Sequence, residues 1–333
     1  MSAPIDERAS AAAAADAGSP FDLDDERAYR LWRERKLDER ARRVDDLLVG
    51  LRDAHALDAA ERAALLARLT RTNMALYHVP ATGEDPTLPR ALGAQLGLVR
   101  LDANWLAGED GISRIAVSAH TEAGAPDGGR ADYIPYTDHA IGWHTDGYYH
   151  PEARSIRGMI LHCVRPAPHG GRSGLLDHEL AYIALRDAVR ALMAADAMTI
   201  PARVDEAGVA RAAQPGPVFS VDADGALHMR YTARTRSIAW RDDDATRNAV
   251  DMLAQLLAGR WCEAASWALH LRLGAGMGLV CHNVLHERSA FADDPAAPRL
   301  LYRARYLDRV AGSTAAPTAS ATAASASPRA VPG

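Results

Sequence analysis

Lysine is almost absent from this sequence of 333 residues. Lys36 is the only lysine among 38 basic residues, so a P-loop nucleotide site, which requires a lysine after its glycine-rich turn, is excluded. Schiff-base catalysis would have to use Lys36 itself. Because Lys36 lies in the charged run from Arg33 to Arg40, we expect it on a solvated helix face and not in a pocket. We attribute the excess of arginine to codon bias, since alanine is abundant as well.

Cysteine and long apolar runs are also scarce. Cys163, Cys262 and Cys281 form no C-x-x-C pair, which argues against a disulfide scaffold or a structural zinc site and fits a reducing, cytoplasmic location. No apolar run reaches the ~18 residues of a transmembrane helix. Acidic residues outnumber basic ones, 43 to 38, so we expect no nucleic-acid partner. The expected partner is a small-molecule substrate, and a homo-oligomer remains open.

The composition divides the chain into four segments. Both ends are rich in alanine and small polar residues that cannot bury a core. We therefore predict a disordered leader (1–22), a helical N-terminal support (23–74), a jelly-roll domain (75–310) and a disordered tail (311–333).

The periodicity of apolar residues changes along the chain. Residues 24–74 show helical spacing, and Asp58 with Glu61 resembles a capping box for a second helix. From about residue 99 the pattern is one of short strands separated by turns, including a hairpin around Asp222–Gly225. Further helices are expected at Pro89–Leu96, 178–194 and 242–259. Many short strands with a few peripheral helices predict a mainly β fold of the α+β type, a sandwich or jelly roll.

Two distant segments carry the residues of a candidate metal site. His144 and Asp146 are two residues apart, so on a strand or its exit they project to one side. His286 supplies a second imidazole. Two histidines and one carboxylate form the facial triad of non-haem Fe(II) oxygenases, which leaves metal positions open. Spacing alone leaves a structural role open for each, because the chain has 13 histidines, among them His282 and His150 close by.

The residues around these ligands resemble the TauD/TfdA family of Fe(II)- and 2-oxoglutarate-dependent dioxygenases. The similarity is carried by the segments Trp143–Asp146, Gly158–Cys163, Gly170–Asp177, His286–Phe291 and Arg299–Arg303. They occur in the family's order and cover roughly residues 135–180 and 275–308. The sequence motifs Leu-His-Cys and Val-Leu-His-x-Arg favour the γ-butyrobetaine-hydroxylase-like branch of this family.

This resemblance implies a double-stranded β-helix and a set of site residues. Fe(II) would be bound by His144, Asp146 and His286. Arg299 would pair with the distal carboxylate of the co-substrate 2-oxoglutarate, and Ser173 would add a hydroxyl hydrogen bond. A planar guanidinium can bind a carboxylate through two parallel hydrogen bonds, which suits that role. Arg303 has the same strand parity as Arg299 and remains an alternative for the co-substrate or for an anionic substrate group.

The implied reaction couples O₂ and the oxidative decarboxylation of 2-oxoglutarate to hydroxylation of a C–H bond in a small molecule. Ala140-Ile141-Gly142 stands where taurine dioxygenases carry an asparagine, so taurine is a doubtful substrate. Asp146 is present, which disfavours halogenation. Three alternatives stay open. One is the same dioxygenase chemistry on another substrate class, such as a sulfonate, an aryloxyalkanoate or an amino-acid intermediate. The others are a jelly-roll hydrolase or isomerase with zinc or manganese, and a non-catalytic metal-binding sensor, neither of which needs 2-oxoglutarate.

Overall fold

The computed structural model describes residues 18–80, 83–102, 107–117, 134–204, 210–261 and 267–313. Most of the predicted leader and tail, and Cys262, lie outside the described residues. Phe21, which the predicted leader contained, is buried against the rings of Trp32 and Tyr182, with centroids 5.1 and 5.4 Å away. The packed part of the chain therefore includes the last residues of that segment.

Helices and short strands alternate along the described residues. The α-helices are α1 (Glu26–Glu39), α2 (Ala59–Thr72), α3 (Leu88–Gln95), α4 (His178–Ala184), α5 (Val189–Leu192) and α6 (Asp244–Leu257). The strands are β1 (Leu48–Gly50), β2 (Met74–His78), β3 (Ser113–Ile115), β4 (Ile141–His144), β5 (Gly158–Arg165), β6 (His169–Gly170), β7 (Ser173–Leu176), β8 (Met198–Ile200), β9 (Arg203–Val204), β10 (Ala210–Arg211), β11 (Gln214–Gly216), β12 (Phe219–Val221), β13 (Leu227–Met229), β14 (Ala239–Trp240), β15 (Leu269–Leu271), β16 (Met277–Cys281), β17 (Leu285–Arg288), β18 (Phe291–Ala292) and β19 (Leu300–Tyr306).

Two sheets enclose the site. The larger has the order β1-β2-β16-β5-β19-β3 and the smaller the order β15-β7-β17-β4. Neighbouring strands in both sheets are antiparallel, except β1 and β2, which are parallel. Apolar side chains from both sheets form one core cluster, including Leu76, Leu279, Leu301, Leu175 and Leu271. This is the mainly β jelly roll with peripheral helices that the strand pattern predicted.

The helices cover the outer faces of this sandwich. Leu65 and Leu69 on α2 and Leu92 on α3 pack in one cluster with Tyr77 and Tyr306 of the larger sheet. Helices α1, α4, α5 and α6 share a second cluster with the β12–β13 hairpin. No helix among the described residues is long and apolar enough to cross a membrane. The helices therefore support the outer faces of the sheets, and the space between the two sheets forms a separate interior.

Several local predictions are confirmed. Asp58 and Glu61 form a capping box at α2, and Asp222–Gly225 joins β12 to β13 as a turn. The helix predicted at 242–259 is α6, which Asp243 caps. These signals are short-range, because a cap or turn depends on side chains within a few residues of the backbone they satisfy.

The helical prediction for residues 24–74 is wrong between the end of α1 and the start of α2. Val44–Leu47 form a 3₁₀ turn, and Leu48–Gly50 form β1, which joins the larger sheet beside β2. Asp46 accepts hydrogen bonds from the backbone N–H groups of Arg42 and Arg43, both at 2.9 Å. Such side-chain-to-backbone bonds offer the chain an alternative to the helix. The division at residues 74 and 75 stays a prediction.

Lys36 is buried, which corrects the prediction of a solvated helix face. Only 5% of it is exposed. Its Nζ lies 2.6 Å from the Asp177 carboxylate, contacts Glu179 and donates a hydrogen bond to the carbonyl of Arg71 at 2.8 Å. Burial opposes the charged form, but the two carboxylates outweigh it and raise the pKa of Lys36. The single lysine is thus a buried counter-ion that ties α1 to the start of α4.

We expect Lys36→Met to destabilise the protein by about 3–5 kcal/mol, since it leaves two buried carboxylates without their cation. Urea unfolding followed by far-UV circular dichroism measures the change. Arg35→Met removes a charge from an exposed neighbour on α1 and serves as the control. Adding Asp177→Asn and Glu179→Gln to Lys36→Met should recover part of the loss. A loss as small as that of Arg35→Met would contradict the buried ion-pair interpretation.

Candidate metal centre and co-substrate cleft

A cleft lies between the two sheets. Most of its wall is apolar and comes from leucine, isoleucine and methionine side chains of both sheets. Its polar lining includes five of the six residues predicted from the sequence: His144, Ser173, His286, Arg299 and Arg303. The sixth, Asp146, contacts Arg303. The structure therefore brings all six predicted residues to one place.

The two histidines are cross-strand neighbours. His144 ends β4, and His286 on β17 is its register partner. Their ring centroids are 4.2 Å apart. Asp146 follows β4 by two residues, and ligand atoms of the three side chains all lie within 4.8 Å of one another. This separation suits three ligands that share one ion.

Hydrogen bonds to backbone carbonyls fix the tautomer of both histidines. Nδ1 of His144 lies 2.9 Å from the carbonyl of Gly142, and Nδ1 of His286 lies 2.9 Å from the carbonyl of Val284. A carbonyl only accepts, so each Nδ1 carries the proton and each Nε2 keeps its lone pair. Burial, and then the neighbouring His286, lower the pKa of His144 to about 3, and burial lowers the pKa of His286. Both rings are therefore neutral at neutral pH, the form in which histidine can bind a metal.

Asp146 supplies the negative charge. It is buried, and its Oδ1 accepts a hydrogen bond from Nη1 of Arg303 at 3.1 Å. Burial alone would raise the pKa of Asp146, but Arg303 and Arg305 outweigh it and hold that pKa well below its usual range. The other oxygen, Oδ2, is buried and has no hydrogen-bond partner among the described residues. A buried carboxylate oxygen without a partner is costly unless a cation meets it, so the donor set fits a divalent metal such as Fe(II).

Gly147 allows the turn that follows this carboxylate. Its φ is +67°, in the left-handed region that glycine adopts without a steric penalty. A Cβ at this position would lie 2.4 Å from Cγ1 of Ile156. The glycine after His144-Thr145-Asp146 is therefore required for the chain to turn beneath the site.

Arg299 and Ser173 face the same cleft from opposite sheets. Ser173 lies on β7 as the register partner of Arg288 on β17. Arg299 lies just before β19 and is 7% exposed. The ring of Phe291 has the guanidinium carbons of Arg288 and Arg299 at 4.8 and 4.9 Å from its centroid. Cation–π contacts of this kind hold both guanidinium groups in place.

The three arginines of the cleft differ in their hydrogen-bond partners. Arg288 donates to backbone carbonyls of the segment 135–139, and Arg303 donates to Asp146. Within the described ranges, no residue is recorded as accepting a hydrogen bond from the guanidinium of Arg299. Burial lowers the pKa of both Arg299 and Arg288, and the two charges repel each other. An anion in the cleft would therefore stabilise the charge of Arg299, whose guanidinium is not committed to a backbone carbonyl or to Asp146.

His282 and His150, which spacing alone did not exclude as metal ligands, interact with other residues. His282 interacts with Asn73 Oδ1 at 3.0 Å and with Ser313 Oγ at 2.9 Å. His150 lies 3.3 Å from the Asp102 carboxylate. Neither takes part in the cluster of possible metal ligands found among the described residues.

A comparison of the sequence with models of protein families shows the family to which the chain belongs. The model of the taurine catabolism dioxygenase TauD, TfdA family matches residues 106–305, which contain every residue of the candidate site. The chain belongs to the TauD/TfdA family. The finer assignment to the γ-butyrobetaine-hydroxylase-like branch stays a prediction.

Two curated relatives of this family member are named uridine-5'-phosphate dioxygenase. One, from Streptomyces sp, is 34% identical over 190 residues, which cover 53% of this chain and 65% of the relative. The other, from Amycolatopsis sp, is 33% identical over 175 residues, which cover 50% and 60%. The chain thus spans less than two thirds of the length of these relatives.

A solved structure shares the fold. It is an asparagine oxygenase in complex with Fe(II), 2S,3S-3-hydroxyasparagine and succinate, with a TM-score of 0.53 and 17% identity. The match covers 76% of this chain and 81% of the oxygenase chain. At this identity the likeness concerns the jelly-roll fold.

Three features of this family member were not predicted from its sequence. The first is the use of Arg288 to bind the backbone carbonyls of 135–139. The second is the contact of the Phe291 ring with two guanidinium groups. Their spacing as His286-x-Arg288-x-x-Phe291 was the available signal. The third is the hydrogen bonding of the Asn283 side chain to the backbone of Asp146. The only signal for it in the sequence is the position of Asn283, three residues before His286.

Proposed function

We propose that this protein is an Fe(II)- and 2-oxoglutarate-dependent dioxygenase that hydroxylates a C–H bond of a small molecule. The observation that carries the proposal is that one cleft combines a two-histidine, one-carboxylate cluster with a buried arginine whose guanidinium lacks a recorded acceptor among the described residues. A hydrolase, an isomerase or a metal-binding sensor would use the cluster but would have no need for that arginine.

Each part of the site has a distinct role in this proposal. His144, Asp146 and His286 would hold the metal. When bound, Fe(II) supplies the redox chemistry that converts substrate, O₂ and 2-oxoglutarate into hydroxylated product, succinate and CO₂. Arg299 and Ser173 would hold the distal carboxylate of 2-oxoglutarate by charge-assisted hydrogen bonds. The apolar wall of the cleft excludes water, which strengthens these interactions.

For the substrate we propose a nucleoside monophosphate of the uridine-5'-phosphate type. The support is the sequence identity with the two curated relatives that carry this substrate in their names. The predicted cytoplasmic location, the absence of nucleic-acid and membrane partners, and the oligomeric state stay predictions. We also propose that 75–310 is the catalytic domain.

The proposal is tested by two measurements on the full chain. Under anaerobic conditions, Fe(II) and 2-oxoglutarate together should give a visible charge-transfer band that neither gives alone. On admission of O₂, succinate release should be stimulated by uridine-5'-phosphate more than by uridine, asparagine or γ-butyrobetaine. Metal binding without the charge-transfer band and without succinate release would support a hydrolase, isomerase or sensor and would contradict the proposed dioxygenase activity. Stimulation by another compound would replace only the proposed substrate.

A further inference from the structure

Asn283 occupies an unusual position next to the candidate metal centre. It lies in the turn between β16 and β17, three residues before His286, and is 2% exposed. Its φ is +54°, in the left-handed region where asparagine is enriched among residues other than glycine. The side chain of Asn283 is thus presented from a tight turn into the protein interior.

The Asn283 amide binds the backbone on both sides of the metal-cluster carboxylate. Its Oδ1 accepts a hydrogen bond from the N–H of Asp146 at 2.7 Å. Its Nδ2 donates to the carbonyl of Asp146 at 2.9 Å and to the carbonyl of Ile156 at 2.7 Å. One side chain therefore satisfies both backbone polar groups of Asp146 and ties them to the chain that leads into His286.

The sheet itself does not fix Asp146. Strand β4 ends at His144, and Gly147 turns the chain immediately after the carboxylate. Asp146 is therefore the member of the cluster whose backbone lies outside a ladder of strands. We propose that Asn283 is a positioning residue that sets the place of the Asp146 carboxylate relative to the two histidines and thereby the metal affinity. This inference rests on the proposed function.

Asn73, which precedes β2, provides a matched comparison, because its side chain contacts His282, the residue before Asn283, and not Asp146. It has a φ of +57° and is also 2% exposed. Its side chain is hydrogen-bonded to Asp177, His282 and Arg309. Asn73 thus shares the backbone conformation, the burial and the buried amide of Asn283, but its amide makes no recorded bond to Asp146.

The test compares Asn283→Gly with Asn73→Gly, because glycine adopts the left-handed backbone while it removes the side chain and with it the amide. Each apoprotein is titrated anaerobically with Co(II), whose visible spectrum reports its ligands, and unfolded thermally with and without Co(II). Both variants should unfold at a lower temperature than the wild type. Only Asn283→Gly should lose Co(II) affinity, by roughly 10- to 100-fold, the effect typical of residues that orient metal ligands.

A second variant covers the case in which Asn283→Gly does not fold. Asn283→Asp keeps an acceptor for the N–H of Asp146 but places an oxygen against two carbonyl oxygens. Its added negative charge would by itself attract a cation, so a fall in Co(II) affinity reports a displaced Asp146 and supports the proposal.

Two results would overturn the inference. One is a Co(II) affinity of the Asn283 variants within about threefold of the wild type, a difference close to the scatter of such comparisons. The other is an equal loss of affinity in Asn73→Gly, which would reduce Asn283 to a general role in stability. If the wild type itself binds no Co(II), the proposed function fails and the inference fails with it. Normal binding by the wild type separates the two failures.

Discussion

Replacing Asp146 with asparagine is expected to abolish measurable turnover and to weaken Fe(II) binding more than any other single change at the site. Asparagine keeps the shape of the side chain but removes the charge, and metal ligands of this kind act in their deprotonated form. Residues that merely orient ligands already contribute about 10- to 100-fold to metal affinity, so loss of a ligand should exceed that range. Anaerobic titration of the apoprotein measures the affinity, and succinate release measures turnover.

The environment of Asp146 explains why the effect should be large. The carboxylate is buried and ionised because Arg303 and Arg305 stabilise its charge, and its Oδ2 has no partner among the described residues. Glu152→Gln removes a charge from an exposed residue on the 3₁₀ turn that follows and serves as the control. Turnover by Asp146→Asn at the level of Glu152→Gln would remove Asp146 from the metal site.

The sequence predicts those parts of the fold that depend on local patterns. Short runs of mostly apolar residues mark β5 and β19, and a capping box marks the start of α2. The predictions that failed concern elements whose structure depends on contacts with distant residues. β1 is too short to show a period, and it forms because β2 offers a free edge. Propensity cannot anticipate such pairing.

Lys36 shows how one residue type can mislead. We treated it as a solvated charge because its neighbours in sequence are charged. Tyr29, Trp32 and Lys36 nevertheless follow one another at helical spacing, and all three are buried on α1. That spacing was a usable signal. Its carboxylate partners Asp177 and Glu179 lie far along the chain, so no local pattern could reveal them.

The candidate site shows the same division between local and distant information. His144 and Asp146 are recognisable as a pair because two-residue spacing has a geometric meaning on a strand. The register that places His286 opposite His144 belongs to the pairing of β17 with β4, which no single segment specifies. The hydrogen bonds that give the arginines of the cleft different partners likewise exist only in the folded chain.

Replacing Arg299 with lysine is expected to raise the KM for 2-oxoglutarate by roughly 10- to 100-fold and to leave metal affinity unchanged. A guanidinium binds a carboxylate through two parallel hydrogen bonds, whereas an ammonium is a point charge with a shorter reach. A hydrogen bond to a charged group contributes about 1.5–3 kcal/mol, which corresponds to this range. The measurement is succinate release as a function of 2-oxoglutarate concentration, together with anaerobic titration with Co(II).

Arg303→Lys is the matched comparison, because both residues line the cleft and both changes are of the same kind. Arg303 donates its recorded hydrogen bond to Asp146, so its replacement should weaken metal binding. Its KM for 2-oxoglutarate should stay within about threefold of the wild type. The opposite pattern, with an unchanged KM in Arg299→Lys and a raised one in Arg303→Lys, would exchange the two roles.

A co-substrate without the distal carboxylate isolates the contact itself. With 2-oxopentanoate, the wild type should need a much higher concentration than with 2-oxoglutarate, because Arg299 and Ser173 then face no anion. In Arg299→Met the two co-substrates should have similar KM values, since the residue that distinguishes them is gone. The KM ratio of the two co-substrates in the wild type, divided by the same ratio in Arg299→Met and converted by RT ln, gives the coupling energy between the arginine and the carboxylate. An equal ratio in both proteins would place the distal carboxylate elsewhere in the cleft.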